Sequence, residues 1–558
     1  MATLFTNGKI FLSGVAPGTN AGLHRPPTFA SCMLISGPEI LHVGSPTDSP
    51  ITSYLSAHPS TPVHSLAGKT LLPGFIDGHM HLTLLGQALT KLDLSGCTSL
   101  ASIQAAVRSY AAANPSLPRI LCRGWMHSML PPDRPPHARD LDGLDPTGRD
   151  RAVLMDSKDL HSTWANTKGI QELGAENWGD VPGGIIGRDE EGRLTGVFSE
   201  AANIGYVWPF LAGVAGLGER VAAIREAVRE YYKAGYTGVV DMAMDEAGWE
   251  ALQMLRGEEK GVGLRVAAYW LVKPCEEVGE LLRQVERAVE LAREFNAETS
   301  PDCRVVGIKV ICDGIVDACT AGLAEPYAHN GHVEVPVWTE EQLVPVVKRA
   351  DEAGLQIALH AIGDATVKLV VDVLTKHASP ARRPRVEHLE VTTPEDVARL
   401  GAAGITASIQ PVHADPAILK AWPRLLGEHR CGRAFAYREF ADLGAPLALG
   451  SDAPTAPHSP LGNIYVGTTR RSYREPDMET TVNPHFALGL CEAVAAATEG
   501  AAYSCFDEHR IGVLAAGRRA DFVVVDMEWE KEKLMGARVV KTWYDGVKVF
   551  SAEGEVSP

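Results

Sequence analysis

The chain has 558 residues, of which 45% are hydrophobic and 22% charged, a balance typical of folded globular proteins that excludes disorder as its main state. Its 52 basic and 69 acidic residues give a net charge of −17, which argues against nonspecific binding to nucleic acid or to an anionic membrane surface. No apolar run of about 18 residues is present, so no membrane span is predicted. The ten cysteines form no CxxC pair, and reduced thiols in a cytoplasmic protein are the plain interpretation.

The two ends of the chain have the same sequence pattern. Residues 1–70 and 511–558 hold short alternating segments separated by turn residues, a pattern typical of antiparallel β-structure. Because the ends of a domain tend to lie close together, we expect both segments to form one composite β-sandwich.

Residues 71–510 alternate between short apolar segments and amphipathic ones. The apolar segments are nearly continuous, as expected of strands buried on both faces of a parallel sheet, and most spacers have the 3.6-residue period of helices. Eight such strands predict a (β/α)8 TIM barrel of the α/β class, with an open doubly wound sheet as the alternative. The predicted strands are residues 71–81, 236–242, 264–270, 304–313, 356–360, 385–389, 405–410 and 446–452.

The first predicted barrel strand ends at residue 81, and the second begins only at residue 236. A structureless loop of that length is implausible in a compact domain, so we predict a lobe at residues 82–215, inserted within the barrel domain. Trp125 and Trp164 of this lobe are candidates for lining an apolar substrate pocket, with packing in the lobe core as the alternative. His161 is a candidate donor to the oxyanion of a reaction, with a surface or packing role as the alternative.

Polar side chains occur at the carboxyl ends of the predicted strands, where barrel enzymes carry their active sites. His79 and His81 are two residues apart, so on a strand both point to the same side and can bind one metal ion. Later predicted strands add two histidines, a lysine and an aspartate at the same end of the barrel. The convergence of these side chains with the His79–His81 pair predicts a metal site. The candidate ligands are His79, His81, Lys309, His360, His388 and Asp452.

Lys309 lies within the apolar segment VVGIKVIC, where burial of its charge is costly. An ion-paired or snorkelling lysine is the plain interpretation, and a lysine carbamylated by CO2 that bridges two metal ions is the alternative. Asp364 closely follows His360 and is predicted to orient that histidine rather than to bind metal. Asp313 is similarly placed, with a helix N-cap as its alternative.

Six strand-end segments carry distinctive motifs. They are PGFIDGHMH (73–81), GIKVICDG (307–314), ALHAIGD (358–364), RVEHLE (385–390), SIQPVHAD (408–415) and ALGSDAP (448–454). Together they resemble the metal-dependent amidohydrolase superfamily, and most closely its YtcJ-like branch (amidohydrolase family 3), which includes N-substituted formamide deformylases. The resemblance spans nearly the whole chain, including the inserted lobe and the segment IGVLAAGRRADFVVVD (511–526).

The resemblance implies a ligand set and a reaction. It places one ion at His79, His81 and Asp452 and a second at His360 and His388, with carbamylated Lys309 as the bridge. One or two divalent ions are therefore the implied cofactors, zinc before manganese, iron or cobalt. The implied function is hydrolysis of a C–N amide bond in a small N-formyl or N-acyl amine by metal-activated hydroxide, with Asp452 as ligand and general base.

Other functions stay open as alternatives. A deaminase of the same superfamily usually lacks the strand-four lysine and has a glutamate soon after the strand-five histidine, whereas this chain has Lys309 and HAIGD. A lactam, carbamate or ester hydrolase would use the same site, since the fold does not define the substrate. A non-catalytic scaffold is less expected, because every ligand position is occupied.

The expected partner is a small-molecule amide, without nucleic acid or membrane, and the resemblance allows a homodimer. Gln410 and His413, at the end of the seventh predicted strand, are candidate substrate contacts. A strand-end turn is the alternative for both residues.

Overall fold

A computed structural model describes residues 2–12, 26–130, 134–158, 162–179, 184–200, 202–258 and 263–552. Its strands are β1 (Ala2–Leu12), β2 (Thr28–Ser36), β3 (Glu39–Gly44), β4 (Val63–Ser65), β5 (Thr70–Pro73), β6 (Phe75–Met80), β7 (Leu92–Asp93), β8 (Ile120–Trp125), β9 (Val153–Ser157), β10 (Ser162–Ala165), β11 (Gly184–Arg188), β12 (Leu194–Glu200), β13 (Tyr236–Met244), β14 (Arg265–Val272), β15 (Cys303–Ile311), β16 (Gln356–Ala361), β17 (Arg385–His388), β18 (Thr406–Ile409), β19 (Leu447–Leu449), β20 (Phe522–Asp526), β21 (Arg538–Tyr544) and β22 (Val547–Ser551).

The helices of the same residues are α1 (Ser49–Ala57), α2 (Leu82–Thr90), α3 (Leu100–Ala113), α4 (Thr167–Leu173), α5 (Trp208–Val214), α6 (Leu217–Ala234), α7 (Glu246–Glu258), α8 (Val278–Glu294), α9 (Glu340–Glu352), α10 (Asp364–His377), α11 (Pro394–Ala402), α12 (Trp422–Leu426), α13 (Glu428–Cys431), α14 (Tyr437–Asp442), α15 (Pro460–Thr469), α16 (Leu490–Ala495) and α17 (Ala501–Tyr503). Within the described ranges, every helix is too short or too polar to span a bilayer.

The described residues form a barrel of eight parallel strands in the order β6-β13-β14-β15-β16-β17-β18-β19. Every residue of β6, β16, β17 and β18 is buried, as expected of strands covered on both faces. The helices between the strands bury one stripe each, as α8 does with Leu281, Val285 and Ala288. This alternation places the carboxyl ends of all the barrel strands at one end of the barrel.

Backbone hydrogen bonds join the first barrel strand to the segment that follows the last one. The Asp452 N–H donates to the His79 carbonyl at 2.7 Å, and the His81 N–H donates to the Ala453 carbonyl at 2.9 Å. A Cβ on Gly450 would lie 2.4 Å from the backbone nitrogen of His79, so only glycine allows the two backbone segments to lie this close together. The barrel is therefore closed, which confirms the (β/α)8 prediction and makes the open-sheet alternative wrong.

The first and last predicted barrel strands differ from the observed ones. Residues 71–81 split at Gly74 into β5, which pairs with β1 and β20, and β6, which enters the barrel. A Cβ on Gly74 would lie 2.3 Å from Oγ1 of Thr237, so the chain crosses between the two sheets where it has no side chain. The last strand, predicted to reach Asp452, ends at Leu449, and Asp452 itself has a left-handed φ of 57° that is incompatible with an extended strand.

Both ends of the chain contribute to a second sheet, in the order β22-β21-β20-β5-β1-β2-β3, with β4 paired to β1. Phe5 from the N-terminal part packs against Phe522 and Trp543 from the C-terminal part, with ring centroids 5.0 and 5.5 Å apart. Both ends of the chain thus form one hydrogen-bonded sheet around a shared apolar cluster, which confirms the expected extra sheet domain. Its arrangement as a sandwich stays a prediction.

Residues 83–226 and 250–255 form a separate compact unit. Its sheet has the order β11-β12-β10-β9-β8-β7. In the sequence this unit falls mostly between β6 and β13, where an inserted lobe at residues 82–215 was predicted. Buried side chains from β8, β9, β10 and α3 form one of its apolar clusters.

Candidate metal centre

The predicted metal ligands lie at the carboxyl ends of the barrel strands. Nε2 of His79 is 3.4 Å and Nε2 of His81 is 3.1 Å from Oδ1 of Asp452. The ring of His388 lies 4.8 Å from that of His79 and 4.4 Å from that of His360, measured between centroids. The structure thus brings these five side chains together, as expected, while their binding of metal stays a prediction.

Two of these residues have a backbone conformation that L-amino acids rarely adopt. His388 ends β17 with a φ of 79°, and Asp452 has a φ of 57°. Such conformations are typical of functional sites, where the surrounding structure holds them against a local cost of about 1–3 kcal/mol.

A buried carboxylate orients His79. Nδ1 of His79 lies 2.7 Å from Oε2 of Glu387, and Arg385 donates to both oxygens of that carboxylate. Burial alone would raise the pKa of Glu387, but the adjacent Arg385 guanidinium holds it well below its usual range. An ionised Glu387 accepts a hydrogen bond from the Nδ1–H of His79, which leaves Nε2 of His79 facing the site.

A second carboxylate orients His360 in the same way. Nδ1 of His360 lies 2.9 Å from Oδ1 of Asp313, which also accepts backbone N–H groups from Gly322, Ile362 and Gly363. The prediction that Asp364 has this role was wrong, because Asp364 begins α10 and accepts the Ala324 N–H instead. A signal for this role was present in the sequence, since the fourth and fifth predicted strands are consecutive and Asp313 lies at the end of the fourth.

Lys309 projects from β15 and is 1% exposed. Burial lowers the pKa of Lys309 to about 8. Its Nζ and Nδ1 of His388 are buried without a hydrogen-bond partner in the part of the chain that the structure describes. Buried polar atoms are almost always satisfied, so these two require a partner, and a cation with a carbamate on Lys309 fits both.

The carboxylate of Asp452 lies 3.1–3.7 Å from ring nitrogens of His79, His81 and His413. Its Oδ1 faces His79 and His81, and its Oδ2 accepts a hydrogen bond from Oγ1 of Thr455 at 2.9 Å. Burial acts to raise the pKa of Asp452, but the adjacent imidazoles of His79 and His81 hold it well below its ordinary value. The carboxylate is therefore ionised at neutral pH and available as a ligand and proton acceptor.

The structure also places His413 beside this cluster. Its Nε2 is 3.7 Å from Oδ2 of Asp452, and its Nδ1 is 3.1 Å from Oε1 of Glu390. Sequence reasoning missed Glu390, although it follows His388 by two residues in a buried segment. Gln410 is 1% exposed, and its Oε1 is buried without a partner among the described residues. The substrate contacts expected of Gln410 and His413 stay predictions.

The tryptophans of the inserted unit are buried within it. Trp125 and Trp164 are 0% exposed, with ring centroids 5.4 Å apart, and Nε1 of Trp125 donates to the Met155 carbonyl at 2.9 Å. This burial favours the alternative of core packing over contact with substrate. His161, the candidate oxyanion donor, lies outside the described residues.

Comparison with known proteins adds an independent line of evidence. A sequence profile described as the amidohydrolase family matches residues 63–550. The putative amidohydrolase YtcJ of Bacillus subtilis (strain 168) is 29% identical over 476 residues, which cover 84% of this chain and 86% of that protein. An N-substituted formamide deformylase of Arthrobacter pascens is 23% identical over 564 residues, which cover 94% of this chain and 96% of that protein.

A solved structure has the same fold. An uncharacterized metal-dependent hydrolase from Pyrococcus furiosus superposes with a TM-score of 0.75 at 24% identity, over 95% of this chain and 100% of that chain. The family profile covers all the barrel strands and, of the terminal sheet, β4, β5, β20, β21 and most of β22. The chain is therefore an enzyme of the amidohydrolase family, as its strand-end motifs predicted.

Proposed function

We propose that this enzyme hydrolyses the C–N amide bond of a small-molecule N-formyl or N-acyl amine. The convergence of His79, His81, His360 and His388 around Asp452 is the observation that carries this proposal. The name of the Arthrobacter pascens relative, an N-substituted formamide deformylase, supports the choice of bond. The presence of Lys309 disfavours ring deamination, which in this superfamily usually proceeds without a lysine at that strand.

The proposal includes two zinc positions. His79, His81 and Asp452 would hold the first ion, and His360 and His388 the second, with carbamylated Lys309 between them. Zinc in such a site lowers the pKa of water toward about 7 and polarises a carbonyl group. Imidazole and carboxylate donors suit zinc, and the carboxylates Glu387 and Asp313 fix the ring orientations of two ligand histidines.

Asp452 has the central proton-transfer role in this proposal. Its ionised carboxylate accepts a proton as water attacks the carbonyl carbon, and the C–N bond breaks when Asp452 passes that proton to the leaving nitrogen. The products are a carboxylic acid, formate for an N-formyl substrate, and a free amine. The buried position of Asp452 between the histidines limits the orientations available to the carboxylate, which keeps both transfers on one face of the substrate.

The test is a product assay on zinc-loaded enzyme with N-formyl and N-acyl derivatives of aromatic and aliphatic amines. We expect equimolar acid and amine, and a fall in kcat of at least about 10³-fold for Asp452→Asn with most of the zinc retained. Asp526→Asn, a change at an exposed end of β20, is the matched control and should leave kcat unaltered. Release of ammonia from ring amines without cleavage of any amide would contradict the proposal.

A further inference from the structure

Three histidines of the described residues share one arrangement around the metal centre. In each of them, Nδ1 forms a hydrogen bond with a buried carboxylate at 2.7–3.1 Å, and Nε2 is left available to the metal centre. Histidines that bind metal almost always donate their second ring N–H to a carboxylate, a carbonyl or water in this way. The pairs are His79 with Glu387, His360 with Asp313, and His413 with Glu390.

The first two of these histidines are already proposed as ligands, and His413 is not. Its carboxylate partner Glu390 is 6% exposed. The side chain of His413 is 16% exposed, which is close to the 11% of His360. A surface pair of the same chemistry exists for comparison, where Nε2 of His429 lies 3.0 Å from Glu325 with both side chains largely exposed. The pair at His413 differs from this surface pair in its burial and in the ring nitrogen that contacts the carboxylate.

His413 also lies close to Asp452 and His388. Its Nε2 faces Oδ2 of Asp452 at 3.7 Å, on the opposite oxygen from the one that faces His79 and His81. The rings of His413 and His388 are parallel within 5°, with centroids 5.9 Å apart.

His388 and His413 are close enough to bind one cation together. A ring nitrogen of His388, one of His413 and an oxygen of Glu390 all lie within 4.8 Å of one another, a spacing that can surround a cation. His388 also belongs to the separate cluster with His79 and Asp452. Its buried Nδ1 has no hydrogen-bond partner among the described residues, so the side chain itself requires a ligand.

We propose that His413 is a metal ligand through Nε2, that it binds the same ion as His388, and that Glu390 positions it. This inference deepens the proposed function and rests on it for the presence of that ion. It assigns His413, at the end of the seventh barrel strand, to the metal centre instead of to substrate. The alternative of a purely structural pair gives no reason why Nε2 of His413 faces Asp452 in the metal centre.

The test measures zinc binding directly. Wild type, His413→Gln and Glu390→Gln are stripped of metal, dialysed against zinc, and analysed by plasma mass spectrometry and by competition with a chromogenic chelator. His413→Gln should lose about one zinc per chain, and Glu390→Gln should weaken the weaker zinc site by about 10- to 100-fold. His429→Gln is the matched control, since it removes an exposed histidine with the same partner type, and should bind zinc as wild type does.

The outcomes separate this inference from the proposed function. Wild-type zinc content and affinity in His413→Gln would overturn the ligand assignment, whether or not amide hydrolysis is lost. Loss of zinc in His413→Gln together with no amide cleavage by the wild type would retain the assignment and reject the proposed function. If His413→Gln fails to fold, as judged by circular dichroism, the zinc affinity of Glu390→Gln decides alone.

The spectrum of the cobalt-substituted enzyme is the final readout. Replacement of one nitrogen ligand should alter the visible d–d bands of His413→Gln and leave those of His429→Gln as in the wild type. Identical spectra for wild type and His413→Gln would overturn the inference.

Discussion

Arg385 is the buried cation that compensates Glu387, and its removal tests how the site is supported. Its Nε and Nη2 donate to Glu387 at 2.5 and 3.0 Å, and both side chains are fully buried. Loss of one partner leaves a buried charge uncompensated, which costs about 3–5 kcal/mol. Arg385 also donates to the Gly78 carbonyl and to the hydroxyls of Ser408 and Ser504, each of which contributes about 1 kcal/mol. We therefore expect Arg385→Met to lower the free energy of unfolding by about 6–8 kcal/mol.

The assay is urea unfolding followed by circular dichroism for Arg385→Met, Glu387→Gln and the double variant. Because the double variant removes both charges, it should be less destabilised than the sum of the single variants by at least about 2 kcal/mol. Arg538→Met, which removes the exposed partner of Asp526, is the control and should change stability by about 0.5 kcal/mol or less. A loss under about 1 kcal/mol for Arg385→Met, or additive single effects, would refute the reasoning.

Three further predictions concern metal, acid stability and barrel closure. Lys309→Ala should lower the zinc content measured by plasma mass spectrometry, with partial recovery of activity by short carboxylic acids; full zinc and activity would exclude a bridging role. Arg151 holds the pKa of Asp145 far below its usual range, so the stability that this pair contributes is present above about pH 4 and is lost as the pH falls further. The destabilisation by Asp145→Asn in urea should thus shrink below that pH, and a constant difference would contradict it. Gly450→Ala places a Cβ 2.4 Å from the His79 backbone, so we expect little folded protein in size-exclusion chromatography, whereas Gly536→Ala, with open space, should fold normally.

Much of the fold was predictable because the barrel strands are buried on both faces and read as continuous apolar runs. The exception at residues 71–81 has a simple cause. An apolar run does not reveal that its first half, β5, pairs with strands from the other end of the chain. Only Gly74, between the halves, marks the change of sheet, and a single glycine has many other interpretations.

The site was predictable where side chains follow the ends of strands, and less so where contacts depend on neighbouring strands. His79, His81 and Asp452 meet as expected, because strand ends converge at one end of a barrel. The choice between Asp313 and Asp364 depended on side-chain direction, which spacing alone does not give. The burial of Trp125 within its own unit is likewise a tertiary property that no local pattern specifies.

The seam that closes the barrel has a consequence for how activity arises during folding. The hydrogen bonds between Asp452 and His79, and between His81 and Ala453, join the earliest and latest strands of the barrel. Asp452 is the proposed proton acceptor, and His79 and His81 are two of the proposed ligands. A barrel in which these hydrogen bonds have not formed is therefore open and has no assembled site. A chain that ends before residue 453 would therefore lack catalytic activity, however many barrel strands it contains. Catalytic activity thus indicates that the first and last strands of the barrel have paired.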